Sequence, residues 1–258
     1  MPKFAANLTM LFTEVASLDR PSLAAQAGFD GVEVLFPYDI ALSDWQGALN
    51  GMPVALVNTP PGDWTLGERG FAAVPGAETA FRNSFMRAVD YANGMGAGRI
   101  HVMAGVARGP EAEQTYFENL TWAAGQVPDL ALTIEPLNID DMPAYFLNDF
   151  DQAGRILDDL ALPNVGLQFD LWHAARIHGD ANAVWARHKH RVNHIQIAGF
   201  PTRNEPGGGG FDLTSLCSEV DAMDRAIWIS GEYRPSRATV HGLNWLTALK
   251  ARSALMGA

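Results

Sequence analysis

The stretch VGLQFD (165–170), followed by a helical segment at 181–190 and then by VNHIQIA (192–198), contains the unit that decides the fold. Residues 165–170 and 192–198 are short, mostly apolar segments, and the segment between them is long enough for a helix. Two parallel strands need a long crossover connection between them, and this connection is usually a helix. The stretch therefore predicts one β–α–β unit of a parallel sheet.

The same alternation continues in both directions along the chain. Short apolar runs predict strands at 4–8, 31–36, 53–58, 99–103, 130–135, 165–170, 192–198 and 226–232. Helices are expected at 20–28, 81–94, 111–125, 148–160, 181–190 and 242–253, with Asn148 as the cap of the fourth. Eight strands with helices between most of them, in 258 residues, match the usual size of a barrel of this kind. We predict an α/β fold, a single (β/α)₈ TIM-barrel domain over residues 1–258.

A doubly wound open sheet is the alternative architecture. That fold prefers a glycine-rich fingerprint directly after its first strand. The residues that follow Leu8, TMLFTEV (9–15), contain no glycine. The pattern therefore favours closure into a barrel.

Composition narrows the classes of partner and location. The chain has 29 acidic residues against 18 Lys and Arg, a net charge of -11 that disfavours binding to nucleic acid. A lone cysteine, Cys217, is typical of a reducing cytosol. The N-terminus lacks an apolar signal segment, and no apolar run approaches the roughly 20 residues of a membrane span. We expect a cytoplasmic protein with neither a membrane nor a nucleic-acid partner. The sequence leaves a homo-oligomer open.

Four polar side chains lie at or near the ends of the last four predicted strands: Glu135, Asp170, Gln196 and Glu232. In a barrel of this type the carboxyl ends of all strands meet at the face that carries the active site. Clustered carboxylates repel one another unless a cation or a proton separates them. Oxygen ligands favour Mg²⁺ or Mn²⁺ over Zn²⁺. The alternative is that these acidic residues merely end strands and cap helices.

Several strings resemble the hydroxypyruvate isomerase family, which is part of the xylose isomerase-like barrels. In the C-terminal half these are IEPLN (134–138), FDLWH (169–173), HIQIA (194–198) and GEYRP (231–235). In the N-terminal half they are FAANLTMLFTE (4–14), VEVLFPYD (32–39), PPGDWTLGERG (60–70) and HVMAG (101–105). The resemblance covers nearly the whole chain.

This resemblance implies a divalent cation held by the four strand-end residues. It also implies that Glu135 and Glu232 form an acid–base pair on opposite faces of the substrate. His173 is expected to contact the substrate. Arg203 is expected to meet the substrate oxygens or carboxylate, because a guanidinium binds a carboxylate in a two-pronged geometry.

Three further residues are candidates for substrate binding. Arg69 is the second choice for the substrate carboxylate, and Trp64 lies in segment 60–70, which we interpret as a lid that excludes water. For both, the alternative is an ordinary surface loop. His101 lies in an apolar strand, where a histidine is either an interior group with satisfied hydrogen bonds or a contact to the substrate.

Two departures from the family pattern follow the seventh strand. Gly199 stands where the family usually has Asp, and GGFDL (209–213) stands where the family has a string similar to GEIDY. Both leave the metal ligands intact but affect the expected shape of the substrate pocket.

The predicted function is hydroxypyruvate isomerase, an aldose–ketose type enzyme that moves one proton between adjacent carbons through an enediolate. The same site could isomerise 2-oxo-tetronate or epimerise a ketose at C3, although the epimerases resemble one another in having His at the position of Gln196. An abasic-site endonuclease is disfavoured by the charge of -11. A non-catalytic barrel that binds a sugar or metal is the remaining alternative.

Overall fold

The computed structural model describes residues 2–256 and contains a closed barrel of eight parallel strands in sequence order, in which the first strand pairs with the eighth. The strands are β1 (Lys3–Asn7), β2 (Gly31–Glu33), β3 (Val54–Asn58), β4 (Arg99–His101), β5 (Ala131–Ile134), β6 (Val165–Asp170), β7 (Val192–Ile197) and β8 (Trp228–Gly231). The predicted TIM barrel is confirmed, and the open sheet is excluded.

Helices surround the barrel and cover its apolar strands. They are α1 (Arg20–Gln26), α2 (Leu42–Leu49), α3 (Glu78–Met95), α4 (Pro110–Gln126), α5 (Phe150–Leu160), α6 (Leu171–His178), α7 (Ala181–His188), α8 (Leu213–Asp221) and α9 (Asn244–Met256). Phe81 and Phe85 of α3 pack edge-on against Trp122 of α4, with ring centroids about 6 Å apart (6.1 and 5.8 Å). Such contacts pack neighbouring helices of the outer layer against one another.

The interior of the barrel is partly polar. The register of β6 against β7 pairs Gln168 with His194 and Asp170 with Gln196, and all four side chains are buried. Residues two apart on a strand face the same side of the sheet. Polar layers from neighbouring strands are therefore stacked along the barrel, with Asp170 nearer the C-terminal end.

The structure corrects one predicted helix cap. Asp149, not Asn148, caps α5, because its side chain accepts a hydrogen bond from the amide of Gln152 (2.8 Å). The Asn148 amide instead donates to the carbonyl of Tyr145 (2.7 Å). Helices α2, α6 and α8 were not predicted.

In the part of the chain described, no helix combines the length and the apolar character that a bilayer crossing needs.

Candidate active site

A cavity of about 570 Å³ opens at the C-terminal ends of the strands. Its lining includes six of the residues predicted from the sequence: Trp64, His101, Glu135, His173, Arg203 and Glu232. Asp170 and Gln196 do not line the cavity, but both are fully buried and bond to residues of the same cluster. The barrel thus brings together all the predicted residues except Arg69.

Three buried carboxyl groups form the acidic centre of this site. Asp170 is 0% exposed, and Glu135 and Glu232 are each 5% exposed. Burial raises the pKa of all three, and the charge of Glu232 raises the pKa of Glu135 further. Desolvation and like charges both disfavour an ionised carboxylate. The centre therefore holds protons more tightly than exposed carboxyl groups do.

Arg203 is the cation that partly balances these groups. Its Nη2 donates to Glu232 Oε2 (2.8 Å) and to Asp170 Oδ2 (3.3 Å), and Nη1 lies 3.7 Å from Asp141 Oδ2. Burial alone would lower the pKa of Arg203, but the charges of Glu232 and Asp170 outweigh it and raise that pKa. The guanidinium is thus already engaged with protein carboxylates.

His173 is oriented by the backbone of the β5–α5 loop. Its Nδ1 accepts a hydrogen bond from the amide of Asn138 (3.0 Å), so in the neutral ring the proton is on Nε2. Burial lowers the pKa of His173 well below its usual value, and the charge of Arg203 lowers it further. Atoms of Glu135, Asp170 and His173 lie within 4.8 Å of one another, as in a metal site. A protonated Nε2 cannot be a ligand, however, so His173 is a hydrogen-bond donor at the cavity.

His101 is a buried residue of the cavity lining. Burial, and secondarily the nearby His194, lower the pKa of His101 to about 3, so the ring is neutral. Its Nδ1 lies 3.4 Å from Glu135 Oε2, and neither ring nitrogen has a hydrogen bond within residues 2–256. Buried polar atoms are rarely left unpaired in native proteins, which makes His101 available to a ligand.

A further buried carboxylate that the sequence reasoning missed, Glu33, is linked to the acidic centre by hydrogen bonds. Glu33 on β2 is 0% exposed and accepts hydrogen bonds from Asn7 (2.7 Å), His194 (2.8 Å) and Gln196 (2.8 Å). Asn7 also donates to Glu232 Oε1 (3.1 Å). The only sequence signal was a charged residue within the apolar string GVEVLF (31–36), which needs a partner if it is buried.

Gln168 on β6, also missed, links two of the predicted ligands. Its Nε2 donates to Glu135 Oε2 (2.8 Å) and to Gln196 Oε1 (2.6 Å). Because the Nε2 of Gln196 donates to Glu33, its Oε1 is the atom that shares the Gln168 donor with Glu135. The amide of Gln196 is thus oriented with its oxygen toward the acidic centre.

These residues fit a divalent cation. When ionised, the three carboxylates carry more negative charge than the Arg203 guanidinium alone can balance. Their oxygens, with the amide oxygen of Gln196, are the hard ligands that Mg²⁺ and Mn²⁺ prefer. The predicted set is consistent with an acidic metal site, although the identity of the ion stays a prediction.

Segment 60–70 borders the cavity through Trp64. The Trp64 ring packs against Phe36 with centroids 6.1 Å apart, and the side chain is 44% exposed. Arg69 stacks on the Trp64 ring, with its guanidinium 3.7 Å from the ring centroid. Arg69 also donates to the carbonyl of Glu68 (2.7 Å) and is not part of the cavity lining. A role for Arg69 in substrate binding stays a prediction.

The loop after β7 folds tightly onto Gly199. The amide of Gly199 donates to the carbonyl of Asn204 and the amide of Arg203 donates to the carbonyl of Gly199, both at 2.8 Å. A Cβ at position 199 would lie 2.4 Å from the carbonyl oxygen of Glu205. A side chain there is therefore incompatible with this loop, which also holds Arg203 in a left-handed conformation (φ 56°).

Comparison with known proteins agrees with this architecture. Residues 21–249 match the model of the xylose isomerase-like TIM barrel family, and the chain belongs to that family. Relatives at 34–44% identity are named isomerases, which places the chain among the isomerases of the family.

Two of these relatives carry different substrate names. The chain is 44% identical to a 2-oxo-tetronate isomerase of Cupriavidus necator, over 95% of this chain and 98% of the relative. It is 37% identical to a hydroxypyruvate isomerase of Escherichia coli K12, again over 95% of this chain and 98% of the relative. The crystal structure of a protein from Brucella melitensis, named AP endonuclease, family 2, superposes with a TM-score of 0.90 at 37% identity, covering 96% of this chain and 99% of that one.

Proposed function

We propose that this chain interconverts hydroxypyruvate and tartronate semialdehyde (2-hydroxy-3-oxopropanoate) as an aldose–ketose type isomerase. The observation that carries the proposal is the pair Glu135 and Glu232, two buried carboxyl groups with raised pKa values that line one cavity. A general acid or base works best when its pKa is close to the working pH. Similarity to isomerases of short hydroxy- and oxo-acids supports the choice of substrate.

The reaction moves one proton between neighbouring carbons. A carboxylate takes a proton from C3 of hydroxypyruvate to give an enediolate, and a proton is then delivered to C2, while the hydroxyl proton moves from the C3 oxygen to the C2 oxygen. Glu135 and Glu232 divide the two carbon transfers between them, and their roles exchange in the reverse direction. His173, with its proton on Nε2, donates a hydrogen bond to a substrate oxygen.

Glu135, Asp170, Gln196 and Glu232 would hold a divalent cation, Mg²⁺ or Mn²⁺. When bound, such an ion stabilises negative charge on the substrate oxygens as a Lewis acid. Arg203 holds Asp170 and Glu232 in place through its hydrogen bonds to both, and its charge lowers their pKa values against the larger effect of burial. Trp64 covers one side of the cavity and limits the access of water.

A second candidate substrate is 2-oxo-tetronate. The relative at 44% identity bears that name, whereas the hydroxypyruvate isomerase is 37% identical. The cavity of about 570 Å³ has room for the additional carbon. The proton transfer would be the same, at the carbon next to the keto group.

The test is an NMR assay of deuterium incorporation in D₂O with Mg²⁺, run in parallel on hydroxypyruvate, 2-oxo-tetronate and a ketohexose. We expect incorporation with a short oxo-acid and turnover reduced at least about 10²-fold in both Glu135→Gln and Glu232→Gln, because each removes one proton-transfer group. Glu113→Gln on the outer helix α4 is the matched control. Near wild-type rates in both site variants would contradict the assignment.

A further inference from the structure

Any substrate of the proposed kind carries a carboxylate that needs a cationic partner. Among residues 2–256, the cationic side chains that line the cavity at neutral pH are those of Arg203 and Arg234. His101 and His173 also line it, but neither ring carries a permanent charge, both are buried, and His173 Nδ1 already accepts a hydrogen bond from the amide of Asn138. The choice of carboxylate partner is therefore between two arginines.

Arg203 is occupied by the protein itself. Its Nη2 is shared between Glu232 and Asp170, and its Nη1 lies 3.7 Å from Asp141 Oδ2. A substrate carboxylate approaching this guanidinium would compete with three fixed carboxylates of the same charge. Arg203 is better suited to hold the acidic centre than to attract an anion.

Arg234 has the opposite character. It follows Glu232 by two residues, and its backbone is fixed on both sides: its amide donates to the carbonyl of Arg203 and its carbonyl accepts from Asn204 Nδ2, both at 2.8 Å. Its side chain is exposed, and within the described part of the chain its guanidinium makes no hydrogen bond or ion pair. It is a cation on a rigid support with free donors.

The net charge of the site also favours Arg234 as the partner of the substrate carboxylate. When ionised, the four carboxylates of Glu135, Asp141, Asp170 and Glu232 together with the guanidinium of Arg203 carry a charge of about -3, which one divalent cation would bring to about -1. An anionic substrate would then gain little net attraction from the centre, while the chain as a whole carries -11 and repels it. A further cation at the cavity would favour the binding of an acid.

We propose that Arg234 binds the substrate carboxylate and thereby gives the site its preference for short 2-oxo acids over neutral ketoses. This inference rests on the proposed function. The planar guanidinium forms two parallel hydrogen bonds with a carboxylate, which fixes the orientation of the acid as well as its position. The reacting carbons are thereby directed toward Glu135 and Glu232.

The test compares an acid with its neutral analogue. Dihydroxyacetone has a hydroxymethyl group where hydroxypyruvate has its carboxylate, and the same proton transfer converts it to glyceraldehyde. For Arg234→Gln we expect KM for hydroxypyruvate to rise about 10- to 100-fold, the effect of losing hydrogen bonds to a charged group. The constants for dihydroxyacetone should stay unchanged, measured as KM or, where it is not turned over, as Ki against hydroxypyruvate. Arg234→Lys should recover part of the loss, because the charge remains without the two-pronged geometry.

Arg237→Gln is the matched control, since Arg237 is an exposed arginine three residues further on that does not line the cavity. Equal selectivity in Arg234→Gln and Arg237→Gln overturns the inference, as does an equal loss for both substrates, which would indicate a structural role. If the wild type turns over no acid, the proposed function fails separately. Quenching of tryptophan fluorescence by hydroxypyruvate with Mg²⁺ then decides the inference, since weaker binding by Arg234→Gln supports it and equal or absent binding refutes it.

Discussion

The two glutamates of the acidic centre have different partners, although both are buried. Glu232 accepts hydrogen bonds from the charged Arg203 (2.8 Å) and from Asn7 (3.1 Å). Glu135 accepts from the neutral amide of Gln168 (2.8 Å) and lies beside the neutral ring of His101. Pairs of titratable groups in unlike environments are suited to divide acid and base roles. The asymmetry fits a reaction in which one proton is taken and one is delivered.

Glu33 is predicted to position the centre without contacting the substrate. Glu33→Ala would leave the donors of Asn7, His194 and Gln196 without their acceptor, at about 1–3 kcal/mol for each buried donor that stays unpaired. We expect a lower free energy of unfolding in urea titrations and a lower kcat, since Gln196 and Asn7 lose the group that orients them.

Glu33→Gln separates the two effects. One amide oxygen can still accept from Asn7 and Gln196, while His194 can change tautomer to face the new NH₂ group. This variant should therefore recover most of the stability and much of the kcat. Glu118→Ala, at an exposed position on α4, is the control. The positioning role is wrong if Glu33→Ala retains the wild-type kcat.

The sequence predicted the residues whose placement depends only on the fold. Glu135, Asp170 and Glu232 stand at strand ends, and a closed parallel barrel brings all such ends to one face. Glu33 was missed because its partners on β7 are 161 and 163 residues away and meet it across the barrel. Local periodicity carries no information on which inward side chains of distant strands touch.

At the level of elements, Asp170 shows why one residue can satisfy two interpretations. It ends β6 and begins α6 without an intervening turn, and its Oδ1 accepts from the amide of Trp172 (2.7 Å) as a helix cap. Its Oδ2 meanwhile accepts from Arg203 and lies 3.6 Å from His173 Nε2. The capping role and the site role were alternatives in the sequence, and the structure contains the interactions of both.

The helices that the sequence analysis missed are short. Helices α2 and α6 have 8 residues each and α8 has 9, so each presents only about two turns of apolar spacing. Longer helices such as α3, with 18 residues, repeat the pattern often enough to be recognised. Short length does not by itself hide a helix, since α1 with 7 residues and α7 with 8 were predicted. The observed bounds differ from the predicted ones mainly where strands are short, as in β2 and β4.

The loop after β7 yields a prediction at this scale. Gly199→Ala would place a methyl group 2.4 Å from the carbonyl oxygen of Glu205, so the loop must move and carry Arg203 with it. We expect lower kcat with a retained far-ultraviolet circular dichroism spectrum, because the barrel itself is untouched. Gly98→Ala is the control, since its added carbon meets only the Ala55 oxygen, at 3.9 Å. Wild-type kcat in Gly199→Ala would show that the loop adapts without cost.

For the molecule as a whole, the net charge of -11 is hard to reconcile with a polyanionic partner, even though the similar protein from Brucella melitensis is named an AP endonuclease. Binding of nucleic acid depends on cations that neutralise phosphates. The absence of such a partner, the cytoplasmic location and the oligomeric state all stay predictions. Cys217 is buried with a pKa raised by burial to about 12, which fits a packing role rather than a reactive thiol.

The thermal stability of the whole protein should depend on the protonation of the acidic centre and on the cation that it binds. A carboxyl group whose pKa is raised by folding stabilises the native state fully below its ordinary pKa of 4.5, and this contribution is lost as the pH rises through the raised value. In EDTA, Glu135→Gln should therefore match the wild type at about pH 5 and melt at a higher temperature at about pH 8. Surface carboxylates with lowered pKa values, such as Asp151 and Asp158, act in the opposite sense but are common to both proteins.

At about pH 8, Mg²⁺ or Mn²⁺ should make the wild type melt at a higher temperature than Glu135→Gln. A free ion at 100 times its Kd stabilises the wild type by about 2.7 kcal/mol, which corresponds to a rise in Tm of about 5 °C or more for a chain of this size. Glu135→Gln loses a charged ligand and should gain less. Thermal melts over this pH range, with EDTA and with each ion, measure all of these differences. An equal gain in both proteins would mean that the ion binds elsewhere, because a site that includes Glu135 cannot be indifferent to the loss of its charge.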